Sequence, residues 1–162
     1  MLIWFAAASV LIVAVVFQSP GIDYRFVIAG SVAPLADELF GGPRVLHSVV
    51  GGVALLVLVV AATSRRRLLR RRLLGLPIGI LTHLVLDGSF ARTRTFWWPV
   101  TGWRFANGPI PELDHLGVSL MLEVVGVGVA VWAWRWFGLA DPERRSRFLS
   151  DGRLDPPGRA QR

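Results

Sequence analysis

Apolar residues run almost unbroken from Met1 to Phe17, Val45 to Thr63, Leu73 to Phe90 and Leu116 to Trp134. Each run approaches the roughly 20 residues that a helix needs to cross a hydrocarbon layer. A lone strand in lipid would leave its backbone groups unpaired, so all four are read as transmembrane helices. The first lacks a basic leader and ends in "VVFQSPG" without a small-x-small cleavage pattern, which favours an uncleaved anchor over a signal peptide. A fifth apolar stretch, Tyr24 to Phe40, is interrupted by Gly30, Pro34, Asp37 and Glu38, the pattern of a broken or re-entrant helix. The expected fold is therefore all-α, an integral membrane bundle of four to five transmembrane helices over residues 1–137. The Pro-, Gly- and Arg-rich remainder, residues 138–162, is expected to be a mostly disordered, basic cytoplasmic tail.

Composition supports this class. The 162 residues are 53% hydrophobic, with a mean hydropathy of +0.52, yet carry a formal net charge of +7. There is no cysteine, which excludes disulfides and thiolate metal sites; any metal must be held by His, Asp and Glu. The positive charge is concentrated in "RRRLLRRR" (Arg65 to Arg72) and in the tail after Arg135. Lys and Arg near span ends are retained on the cytoplasmic side, so these two clusters place residues 91–115 and the Val45 end of the second span on the exterior. The arginines are read as topology signals and contacts with anionic lipid headgroups. Nucleic acid is not an expected partner, because the basic run alternates with Leu pairs and joins two spans directly.

Against this background the ionisable residues in or beside the apolar runs stand out: Asp37, Glu38, His47, His83, Asp87, Asp114, His115 and Glu123. Nearly all fall in the outer half of the membrane under the derived orientation. His83 and Asp87 are four residues apart, which puts them on one helical face; His115, Ser119 and Glu123 step by four as well. A charged group at mid-membrane costs about 2.5–3.5 kcal/mol on insertion scales, and a cation shared between helices offsets several such costs together. Local roles remain open for each: a hydrogen-bonded neutral His83, an Asp87 capping the chain beyond its helix, a boundary His47, and Asp114 and His115 as the cap region of the last helix.

Four stretches, "GSVAPLADELF", "RVLHSVVGG", "THLVLDGSF" and "FWWPVTGWRF", resemble in order and content the bacterial membrane-bound metal-dependent hydrolases, the LexA-binding inner-membrane-associated hydrolase family. The resemblance covers roughly residues 28 to 105. It implies a bacterial inner-membrane location and makes Asp37, His47, His83 and Asp87 the candidate metal ligands. Asp114 and His115 are additional candidates on local grounds alone.

Imidazole with carboxylate suits zinc first, and also manganese or iron. A divalent ion with an open position activates water, so the expected function is hydrolysis of an ester, chiefly a phosphoester, in a lipid or amphiphile reached from the outer face. Glu38 or Glu123 would serve as general base, and Arg92, Arg94 and Arg104 could hold an anionic group. Trp97, Trp98 and Trp103 are read as an interfacial aromatic belt, with membrane lipids as the expected partners. Two rival classes are a small transporter or proton-relay protein and a non-catalytic membrane scaffold or regulator.

Overall fold

The computed structural model describes residues 1–19, 21–39, 44–103 and 116–154, with the side chains of Glu38 and Leu39 outside that description. All regular structure among the described residues is helical. The helices are α1 (Leu2–Phe17), α2 (Tyr24–Val32), α3 (Leu35–Leu39), α4 (Val49–Ala62), α5 (Arg67–Leu73), α6 (Gly75–Leu86), α7 (Thr93–Phe96), α8 (Leu116–Trp136) and α9 (Pro142–Asp151). Two 3-10 turns, Val45–His47 and Ser89–Ala91, lead into α4 and out of α6.

Only α8, among the described helices, is both long and apolar enough to cross a membrane: it has 21 residues, a mean hydropathy of 2.0, and an apolar window just 11% buried. The other predicted spans are shorter. The run from Val45 to Thr63 becomes a 3-10 turn and a 14-residue helix, because Ser48 caps α4 by accepting from the Gly51 N–H at 2.8 Å. The run from Leu73 to Phe90 yields the 12-residue α6, which ends where Gly88 takes a left-handed conformation, φ 65°. Tyr24 to Phe40 divides into α2 and α3, with Pro34 at the junction.

Close packing gives the helix directions. Gly75 lies against Asp23 and Val27, Gly79 against Val27 and Gly30, and His83 against Ser31, so α2 and α6 run in parallel. Gly30 faces the Leu76 carbonyl from the other side. A Cβ at Gly75 would come within 2.7 Å of the Asp23 carbonyl oxygen, and one at Gly79 would overlap that of Val27. This is the small-x-x-x-small spacing by which helices approach backbone to backbone where lipid removes the hydrophobic drive for association. α1 and α8 are also parallel, with Gly126 against the Trp4 backbone and Ala133 in one cluster with Val10 and Val13. α4 runs opposite to α6: His47, just before α4, meets His83, and Gly52, further along, packs on Ile80 and Leu81 in the middle of α6.

The molecule consequently has two unlike ends. One holds the start of α1, α4 and α8 and the finish of α2 and α6, with His47, His83, Asp37, Asp87 and Glu123. The other holds α5, α9 and the main apolar core, in which Val13, Ala14, Tyr24, Val27 and Phe137 are buried together.

Part of the predicted disordered tail is ordered here. Asp141 caps α9, accepting from the Glu143 N–H at 2.9 Å, and Pro142 suits the first helical turn. Arg25 donates to the carbonyls of Leu149 and Ser150 at 2.6 and 3.0 Å, and Leu154 enters the core. Composition alone does not reveal this docking, since it depends on a guanidinium from α2.

Candidate functional site

The site is built where α6 lies against the end of α2. His83 is 1% exposed, and its Nδ1 donates to the Ser31 carbonyl oxygen at 2.7 Å. A carbonyl can only accept, so in the neutral ring the proton sits on Nδ1 and Nε2 carries the lone pair. Phe5, at the close of the first turn of α1, covers the imidazole with ring centroids 3.9 Å apart. The His83 ring is thus held by a polar bond on one nitrogen and an aromatic face above.

His47 reaches the same place from the turn before α4. Ser48 secures that turn at both ends, donating to the Val45 carbonyl at 3.0 Å while capping α4. The His47 ring is 1% exposed and meets His83 edge to face, centroids 5.4 Å apart. Its Nδ1 lies 3.4 Å from Asp37 Oδ2, and that oxygen also accepts from the N–H groups of Leu46 at 2.8 Å and Arg44 at 3.1 Å. The Asp37 carboxylate is thus held by the His47 ring and two backbone donors at once.

Asp87 is the C-cap of α6 and keeps helical backbone angles, φ −76° and ψ −11°. Its Oδ2 accepts from Ser89 Oγ at 2.5 Å and lies 3.8 Å from Arg92 Nη1. The i, i+4 relation to His83 is kept, with the carboxylate oxygen engaged by Ser89 and Arg92. Arg92 is engaged with Asp87, while Arg94 is exposed and accepts at its carbonyl from Thr101 Oγ1 at 2.7 Å.

Glu123 belongs to a different local structure. Its two oxygens accept from the N–H groups of Ile3 at 3.1 Å and Trp4 at 3.4 Å, and the N-terminal amine is 3.9 Å away. Helix α1 has no side-chain cap from its own N-terminus, so the acid from α8 supplies it. As general base, Glu123 would have to give up this cap. Asp114, His115, Arg104 and the side chain of Glu38 lie outside the described residues.

The structure therefore brings together His47, His83 and Asp37, with Asp87 at the next turn held by other partners. Ser31 and Phe5 complete the setting, and neither carries a sequence motif. Metal-binding histidines characteristically hand their second ring nitrogen to a carboxylate or a backbone carbonyl. His47 and His83 both have such a partner on Nδ1, which fits two nitrogen donors for zinc or a similar ion. Among the described residues, no group of three or more His, Asp or Glu is arranged to hold a metal ion. No protein-family model, curated protein or solved structure matches the chain, so no family is assigned to it on that ground.

Proposed function

We propose that the chain is a multi-pass membrane protein whose His47–His83 pair holds a divalent cation, zinc by preference, for hydrolysis of an ester bond in a lipid or amphiphile. The single observation that carries this reading is the bracing of both buried imidazoles through Nδ1, one by a carboxylate and one by a carbonyl. Asp37 keeps His47 in place, and Asp87 is the acid available for a further position, where it would exchange Ser89 and Arg92 on binding.

Membrane residence is supported by what the helices present outward. Val57 and Leu58 on α4 and Leu120, Met121 and Val124 on α8 are each more than half exposed. Such faces suit lipid contact, and the arginine helix α5 lies at the end opposite the histidines. α1, α4, α6 and α8 would be the spans, with α2 and α3 as the re-entrant pair. The 16, 14 and 12 residues of α1, α4 and α6 make helices ~24, ~21 and ~18 Å long, shortfalls that local bilayer thinning and the flanking segments would have to accommodate. The basic end would be cytoplasmic and the histidine end extracytoplasmic in a bacterial inner membrane.

A bound cation would lower the pKa of coordinated water toward neutrality and polarise a phosphoryl or carbonyl oxygen. The chain's own part is to fix the ring orientation: Ser31 holds the tautomer of His83, and Asp37 holds His47. Proton transfer falls to Glu38, since Glu123 is committed to α1. The test is hydrolysis of a fluorogenic phosphodiester by the purified full chain in micelles, with zinc, manganese or iron(II) added after chelation. Metal-dependent turnover lost in His83→Ala supports the reading. Metal-independent proton flux in proteoliposomes, without turnover, would instead favour a relay role.

A further inference from the structure

At the arginine end, a cavity of about 370 Å³ lies between the α1–α2 link, α5 and the segment after α9. Its charged lining is Arg71 and Arg72 from α5, Arg153 from the C-terminal segment, and Asp23 and Asp151. The charges do not cancel internally. Asp23 is taken up by Arg25, whose Nη2 and Nε reach its two oxygens at 2.7 and 3.0 Å. That leaves Asp151 alone against three arginines, none of which forms an ion pair among the described residues.

The cavity is a product of folding rather than of the basic run alone. Arg153 lies some 80 positions from Arg71 along the chain, and α9 carries it there through the Arg25 contacts with Leu149 and Ser150. The Arg71 guanidinium lies against Gly21, where a Cβ would come within 2.8 Å of both Nε and Cζ. Leu68 and Leu69, 77% and 40% exposed, line the same cavity and add an apolar edge.

The geometry points to a binding site for a phosphate-bearing anion, with the phosphodiester of an anionic phospholipid headgroup as the ligand chemistry. Guanidinium groups bind phosphate oxygens in pairs, and three of them converging from two segments define a position that a diffuse basic surface does not. Asp151 accepts from a headgroup hydroxyl, and Leu68 and Leu69 give the acyl chains an apolar path. The site lies at the opposite end from the histidines and does not depend on their holding a metal.

The test uses the full chain in neutral detergent micelles, with native mass spectrometry counting bound dioleoylphosphatidylglycerol against dioleoylphosphatidylcholine. Arg71→Gln/Arg72→Gln is compared with Arg65→Gln/Arg66→Gln, which removes the same charge from residues that do not line the cavity. Gly21→Val keeps every charge but displaces the Arg71 guanidinium. Retention of phosphatidylglycerol is expected in the parent and in Arg65→Gln/Arg66→Gln, with a fall of roughly tenfold in Arg71→Gln/Arg72→Gln and a clear loss in Gly21→Val. Binding of inorganic phosphate without preference for phosphatidylglycerol would identify free phosphate as the source of the anion. Equal loss in the two arginine pairs, parent-like binding in Gly21→Val, or no binding of either probe overturns the proposal.

Discussion

His47 and His83 meet edge to face with ring centroids 5.4 Å apart, although 35 residues and a pair of antiparallel helices separate them in the chain. Each ring is fixed by a different element, His83 by the end of α2 and His47 by Asp37 and the turn before α4. The contact therefore reports whether α1, α2, α4 and α6 are assembled together.

Removing the His83 ring leaves the Ser31 carbonyl without its donor and opens space under Phe5. His83→Ala should lower stability by about 2–4 kcal/mol. His83→Asn, which offers an amide donor, should lose less. Denaturant titration of the protein in micelles measures both; an alanine variant as stable as the parent would mean that this bond does not hold α6 to α2.

Glycine contacts give an internally controlled comparison. Gly79→Ala forces a Cβ into the Val27 carbonyl and should cost ~3 kcal/mol. Gly128 in α8 is exposed, and a methyl added there would meet nothing within 4 Å, so Gly128→Ala should gain ~0.5–1 kcal/mol from helix propensity. Thermal unfolding of the two variants should move in opposite directions, and a shared direction would count against the backbone-to-backbone packing of α2 and α6.

Glu123 is expected to act on α1 rather than on chemistry. Glu123→Ala should cost ~1 kcal/mol and speed hydrogen exchange at the amides of Ile3 and Trp4. Metal content and any hydrolysis should be unchanged. Exchange at those amides identical to the parent would show that the cap carries no weight.

Arg25 joins the buried Asp23 to the last turn of α9, and its guanidinium is about one-third exposed. Arg25→Gln should cost about 2–3 kcal/mol, below the range for a fully buried pair because water still reaches the arginine. It should also open residues 149–154 to proteases. Adding Asp23→Asn removes the stranded charge and should recover part of the stability; no recovery would place the loss in the carbonyl contacts alone.

How far the sequence discloses this arrangement differs by element. α8 follows directly from a long apolar run, Leu116 to Trp134, broken only by Ser119 and Glu123, and the α2–α3 break follows from Pro34. Helix ends are less legible: Ser48 and Gly88 stop α4 and α6 short of the predicted spans, because a local cap competes successfully with apolar periodicity. In the candidate site, His47 and His83 can be named from their position in apolar runs. The partners of Asp87 cannot all be read from i, i+4 spacing, since Ser89 and Arg92 engage its carboxylate just beyond the helix end. Glu123 misleads for a similar reason. Its partner is a helix terminus 120 residues away, and backbone donors leave no motif. The parallel packing of α2 on α6 leaves only the spacing of Gly75 and Gly79 as its trace in the sequence.

Metal content is the most direct measurement on the histidine centre. The full chain, purified without chelator, saturated with zinc and dialysed, should retain a stoichiometric ion by plasma mass spectrometry, and His47→Ala and His83→Ala should each lose it while Glu123→Ala keeps it. A folded parent protein that retains no zinc, manganese or iron, or histidine variants that retain as much as the parent, would contradict a metal-binding role for the His47–His83 pair.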